Sequence, residues 1–170
     1  SKMYHATQQM VTNWGMFADD TTKKSATFEV LDNVIEETNC LQPEASKLIV
    51  FTYYKATSRG VMGHLKEKGI NAVACYSEVS RAQQDKNIEA FLGDPSCRIL
   101  VAQPTSAGYG LNPQAVCCEE LFFEYPTNPM HFRQAMERIW RDGQKHVPTI
   151  RLAIAEGTIQ QKLLSNLMRN

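Results

Sequence analysis

Residues Gln134-Ala-Met-Glu-Arg-Ile-Trp-Arg-Asp-Gly-Gln144 place an amide and two guanidiniums at spacings of four and three. On a helix turning ~100° per residue, Gln134, Arg138 and Arg141 fall within ~60° of one another. Phe132, Met136 and Ile139 take the opposite side, ~140–200° away, where they would dock on a core. Gly143 stands where such a helix would stop. The polar row suits a phosphate, because each guanidinium offers a planar fork of donors and a charge that does not titrate. A solvated charged face is the ordinary alternative for two arginines at this spacing.

Ahead of this string, Gln103-Pro-Thr-Ser-Ala-Gly-Tyr-Gly-Leu-Asn-Pro113 is rich in small residues. Thr105, Ser106, Ala107, Gly108 and Gly110 leave room for backbone N–H groups to approach an anion, and the two hydroxyls add donors. A plain turn explains an isolated Gly-x-Gly equally well. Neither nucleotide cradle is complete: the chain lacks both Gly-x-Gly-x-x-Gly and Gly-x-x-x-x-Gly-Lys-Ser/Thr. No strand ends in an acidic pair suited to magnesium, and Glu119 and Glu120, at a strand's start, are expected in solvent. No metal site is expected either. Cys40, Cys75, Cys97, Cys117 and Cys118 form no Cys-x-x-Cys and read as reduced, structural residues of an intracellular protein. What is left is a phosphate-reading half without a phosphate-holding half.

Hydrophobic periodicity supplies the elements that must position these groups. A helical pattern from Ser25 carries Phe28, Leu31, Val34 and Ile35, and Pro43 follows it as a stop. Lys47 to Thr52 is an apolar run of the kind buried on both faces of a sheet. Further strands are expected at Ile70–Tyr76, Arg98–Ala102, Glu120–Glu124 and Thr149–Ile154. Helices are expected to about Lys68 with Gly69 as cap, from the Ser80 N-cap to Gly93, from Pro129 through the arginines, and over Thr158–Met168. This alternation predicts a parallel sheet covered on both faces, with ligands at the carboxyl ends of the strands. Residues 1–24, with Trp14, Met16 and Phe17, read as an edge segment, and 25–170 as the domain. The Ser-Lys start suggests a fragment excised from a longer chain. Net charge is zero, so attraction to nucleic acid would need local patches. No apolar run reaches the roughly 18 residues of a membrane span.

The string Gln134-x-x-x-Arg138-x-x-Arg141-x-Gly143-Gln144 resembles motif VI of the Swi/Snf family of helicase-like ATPases, in helicase superfamily two. Ser106-Ala-Gly-Tyr-Gly-Leu-Asn112 resembles motif V, and Leu48-Ile-Val-Phe-Thr52 motif IV. Glu156-Gly-Thr-Ile-Gln160 is similar to the element that closes the lobe. The landmarks stand in family order from about Ser25 to Leu167. Most members read Ala-Gly-Gly-x-Gly in motif V. The shorter Ala107-Gly-Tyr-Gly110 and the following Pro113 depart from that and resemble small bacterial and viral members.

The resemblance implies the second RecA-like lobe of a larger protein. Its fold would be the α/β, P-loop NTPase-type three-layer arrangement, a mostly parallel sheet between helices. It implies ATP with magnesium, held mainly by a first RecA-like lobe outside this chain. Arg138 and Arg141 would be catalytic arginine fingers, with Gln134, Gly110 and Asn112 also on the ATP side. Thr52, Thr105, Ser106 and Gly108 would hold the backbone of double-stranded DNA. Arg-x-Gly-Gln at the end of motif VI favours the DNA group over an RNA helicase lobe. A non-enzymatic module that kept the fold is the alternative from another class. The isolated lobe is expected to be inactive, and the protein to work in the cytoplasm or at the nucleoid, with no membrane partner.

Overall fold

Lys47-Leu-Ile-Val-Phe51 has no polar alternation, and the computed structural model shows why: all five residues of this strand, β1, are buried. The structure describes residue 12 and residues 26–106 and 111–169. The expected edge segment 1–24, Thr12 apart, lies outside the described residues, as do Gly108 and Gly110. Four further strands are β2 (Ala72–Cys75), β3 (Ile99–Ala102), β4 (Cys117–Phe122) and β5 (Thr149–Leu152). They join β1 in a five-stranded sheet of order β2-β3-β1-β4-β5, with every pairing parallel. The helices are α1 (Ala26–Thr38), α2 (Lys55–Glu67), α3 (Arg81–Gly93), α4 (Pro129–Met136) and α5 (Ile159–Arg169).

Successive residues of β1 serve opposite faces, as the pleat requires. Leu48 and Val50 pack with Leu31, Val34 and Ile35 of α1 and Val61 and Leu65 of α2. Ile49 and Phe51 pack with Ile88 and Phe91 of α3, Phe132 and Ala135 of α4, and Leu163, Leu164 and Leu167 of α5. The three-layer α/β expectation therefore holds. So do two helix starts: the Gln83 amide donates to Ser80 Oγ at 3.4 Å, and the Met130 amide to Asn128 Oδ1 at 2.9 Å, just ahead of α3 and around Pro129.

Most boundaries fall within two residues of expectation, and two differ by more. β4 runs Cys117–Phe122 rather than Glu120–Glu124, because Cys117 and Cys118 are buried and continue the apolar run toward the amino end. The helix opened by Pro129 stops at Met136, before either arginine.

Burial of Lys47 at the start of the central strand has a local reason. Its ammonium donates to the carbonyls of Phe91 at 2.5 Å and Asp94 at 2.7 Å, at the end of α3, where carbonyls have no helical partner. It also lies 5.4 Å from the centre of the Phe91 ring. Burial pulls its pKa down. Lys47→Met should lower stability by about 1–3 kcal/mol, since it takes from the buried Phe91 carbonyl the donor it has there. Urea denaturation measures this, and an unchanged midpoint would show that the carbonyl finds another donor.

Candidate functional site at the carboxyl ends of the strands

The chain leaves β1, β2 and β3 on the same edge of the sheet, and one side chain ties the three exits together. Gln103, just past β3 and buried, donates through Nε2 to the Tyr53 carbonyl at 2.9 Å. Its Oε1 accepts from the Ser77 amide at 3.1 Å. A second buried group acts from β4's side. Glu124 accepts from the Tyr53 and Tyr54 amides at 2.9 and 2.8 Å, from Thr57 Oγ1 at 2.6 Å, and from the Thr12 hydroxyl. Burial pushes its pKa up, against the pull of those four donors. Between the loops so held lies an open cleft of about 590 Å³, lined by Tyr53, Tyr54, Lys55, Ser77, Gln103 and Thr105 among others.

The expected nucleic-acid residues divide here. Thr105 is exposed and Ser106 half-buried in the turn that Ser106 N closes on the Gln103 carbonyl. Thr52 is 0% exposed, and its hydroxyl bonds Ser58 Oγ at 2.8 Å. Its side chain is turned inward onto the start of α2, unlike those of Thr105 and Ser106. Gly108 lies outside the described residues. Gln103, Glu124, Lys55 and the two tyrosines were not read from the sequence as site residues. Glu124 could have been, since a carboxylate that ends the apolar run Leu121-Phe-Phe123 must be satisfied by its surroundings.

The arginine string is also corrected. Gln134 is exposed on α4, but past Met136 the backbone turns, and the expected single row does not form. Arg138 is only 7% exposed, with Nη1 donating to the Leu111 carbonyl at 3.4 Å. Arg141 is exposed, with Nη1 on Asn112 Oδ1 at 2.6 Å. Gln144 fixes the turn by donating to the carbonyls of Ile139 at 3.1 Å and Cys117 at 2.9 Å. Gly143 sits at φ +93°, in a turn rather than as a helix cap. Leu111 and Asn112 follow the same β3–β4 connection that carries Thr105 and Ser106, so one loop serves both candidate sites. Gly110, expected beside them, lies outside the described residues.

Glu119 and Glu120 are not solvated as expected. Glu119 pairs with Arg151 of β5. Glu120 is 0% exposed, and neither carboxyl oxygen has a hydrogen-bond partner. Burial holds its pKa well above the ordinary carboxylate range, and the Arg138 guanidinium works against that rise. Burial and the neighbouring Arg141 charge both lower the pKa of Arg138, and Glu120 opposes them. An unfolded glutamate releases its proton near pH ~4.3. The folded chain keeps this proton to higher pH, so it binds more protons than the unfolded chain above that point. Stability contributed by this group is present at low pH and is lost as pH rises through the folded pKa. Thermal melts across pH should show Glu120→Gln flattening this decline and melting above wild type on the alkaline side. A parallel decline in both proteins would mean that Glu120 ionises as freely folded as unfolded.

Residues 26–143 match the helicase conserved C-terminal domain. The uncharacterized ATP-dependent helicase YqhH of Bacillus subtilis is 30% identical over 121 residues, 71% of this chain and 21% of that protein. A RAD54-like DNA repair and recombination protein of Drosophila ananassae is 39% identical over 120 residues, 69% of this chain and 15% of its own. The TATA-binding protein-associated factor BTAF1 of Arabidopsis thaliana is 36% identical over 122 residues, 70% of this chain and 6% of its own. The chain thus spans about a fifth or less of these relatives. The C-terminal part of the Fun30 ATPase domain superposes with a TM-score of 0.75 at 16% identity, over 96% of this chain and 53% of that one. The Sulfolobus solfataricus SWI2/SNF2 ATPase C-terminal domain gives 0.71 at 17%, over 98% and 67%. With the parallel sheet and its two helical layers, these matches show that the chain belongs to the helicase conserved C-terminal domain family, with the fold of the SWI2/SNF2 ATPase C-terminal domain.

Proposed function

We propose that this lobe belongs to an ATP-dependent translocase on double-stranded DNA and supplies arginines to a nucleotide held mainly by a first RecA-like lobe of the same protein. The observation that carries the reading is the arginine turn: Arg141 is exposed yet fixed to Asn112, beside a buried Arg138. Pre-set guanidiniums suit the charge that develops in phosphoryl transfer, which is catalysed by positioning and electrostatics. The sequence lacks a phosphate cradle of its own, and the relatives, several-fold longer, include an ATP-dependent helicase. Among the described residues no group of three or more His, Cys, Asp or Glu side chains could hold a metal. In this reading the lobe offers cations to the phosphates, and magnesium would be held by carboxylates of the first lobe. Gln134 and Asn112 would line the nucleotide side. Fingers delivered from a separate lobe make turnover conditional on closure, which couples hydrolysis to movement.

The cleft at the ends of β1, β2 and β3 would take the DNA backbone. Thr105 and Ser77 offer hydroxyls there, with Ser106 next in the chain, and Lys55 offers a cation. Such groups read phosphates rather than bases, which suits a motor indifferent to sequence. The relatives named as DNA repair and recombination proteins favour DNA. Five free, buried cysteines fit a reducing intracellular setting. No described helix is long and apolar enough to cross a membrane.

DNA-stimulated ATPase of the full-length protein, measured with thermal melting, tests the first half. Arg141→Ala should lower turnover by about 10³–10⁵, or roughly 4–7 kcal/mol in barrier, with little change in melting. Arg141→Lys should rescue little, because the fork is lost. Arg138→Ala should lower turnover and also the melting temperature, since that side chain is buried. Near-normal turnover in the Arg141 variants overturns the assignment. For the DNA half, Lys55→Ala should weaken duplex binding equally on unrelated sequences and reduce the salt slope by about 1. Thr105→Ala should weaken it without altering the slope. A marked preference for one sequence would point to base readout instead.

A further inference from the structure

Net charge is zero over the chain, yet α2 carries Lys55, Arg59 and Lys66 against a single acid, Glu67. All three cations are exposed. At ~100° per residue they fall within ~40° of one another, in a row ~16 Å long with steps of ~6 and ~10 Å. The rest of the helix is committed to packing. Val61 and Leu65 join the core on the sheet, Gly60 lies against the Phe28 ring, and His64 bonds Asp32 of α1 at 2.8 Å. The row is thus carried on a fixed element and turned outward. Among the described residues, the side chains of Lys55 and Lys66 make no hydrogen bond or ion pair. Arg59 meets Glu78, 3.7 Å from its Nε, and both side chains reach water, where such a pair holds weakly. Lys68, just past the helix, pairs with Asp32 at 2.6 Å and lies off the row.

We propose that the outer face of α2 is a docking surface for the phosphate backbone of double-stranded DNA, continuous with the cleft at Lys55. This rests on the reading of that cleft as the DNA site. Lys55 lines the cleft at one end of the row. At the other end Lys66 borders an open groove of about 410 Å³, with Met62, Gly63 and Asn71. Gly63 is exposed beside the row and has open space where a Cβ would stand, so a phosphate can approach its backbone closely. Continuity and charge both favour this occupant. A strand held at Lys55 meets Arg59 and then Lys66 over a span of about five base pairs, at about 3.4 Å each. Phosphate displaces Glu78 from Arg59 at little cost, because that pair is solvated. Contacts of this kind add affinity without reading bases.

Duplex binding by the full-length protein, titrated against salt without nucleotide, tests this. Lys66→Ala and Arg59→Ala should each flatten the dependence of log affinity on log salt by about 1, with severalfold weaker binding on unrelated sequences alike. Lys86→Ala removes an exposed cation from α3, on the other side of the sheet, and should change neither. In DNA-stimulated ATPase, Lys66→Glu should raise the DNA concentration for half-stimulation and leave saturated turnover as it was. Without any variant, Lys66 should lose reactivity toward an amine-acetylating reagent when duplex is added, as read by mass spectrometry. A Lys66→Ala slope equal to that of Lys86→Ala, or undiminished acetylation of Lys66, overturns the proposal and leaves the face to an acidic protein. If Lys55→Ala flattens the slope in that same experiment, the extension along α2 falls alone. If Lys55→Ala is also without effect, the cleft reading falls with it.

Discussion

The structure depends on the burial of β1 from both sides. Its five residues are all buried, so helices must cover each face and the strand must be paired on both edges. Chemistry is then confined to the ends of the strands. At the amino end, Lys47 and Arg98 spend their donors on backbone: Lys47 on the exit of α3, Arg98 on the carbonyls of Cys40 at 2.7 Å and Ala45 at 2.6 Å. These cations close loops. At the carboxyl end the loops are held instead by Gln103 and Glu124, side chains buried beneath the surface, which leaves Thr105, Lys55 and Arg141 outside and accessible.

That division lets a rigid sheet present a changeable surface. A donor aimed at an external phosphate is useful only if its backbone is fixed, since rotational freedom would cost more than a single contact returns. In the function proposed for it, the arginine turn would meet this need without a helix. Gln144 bonds two carbonyls, Asn112 holds Arg141, and Ile139 anchors the segment in the core. A strict α-helix through the same residues would have placed both guanidiniums in solvent. The turn places one inside and one outside, and so gives two chemically similar residues different environments.

Helical and strand periodicity, together with the string at Gln134–Gln144, were enough to indicate the layer order, the family and the residues of the arginine pair. Patterns of this kind are local: apolar spacing depends on which neighbours share a face, and a motif is a run of adjacent types. Segment ends were less legible. β4 began at Cys117 because cysteine reads equally well as loop or core until a neighbouring strand pairs with it. The turn that follows α4 is held by Gln144 reaching the Cys117 carbonyl, a contact between residues far apart in the chain.

The amino-acid sequence by itself determined which face of each element is apolar, the alternation that makes the sheet parallel, and the presence of paired guanidiniums without a phosphate cradle. Only the tertiary structure decided that Thr52 is buried and bonded to Ser58, that Arg138 is inside and Arg141 outside, and that Glu120 sits unbonded in an apolar layer. The physical reason is that residue type sets what a side chain can do, whereas its charge state and reach depend on desolvation and on partners from other elements. Glu119 and Glu120 make the point: adjacent and identical in type, one pairs with Arg151 at the sheet's edge and the other faces the core.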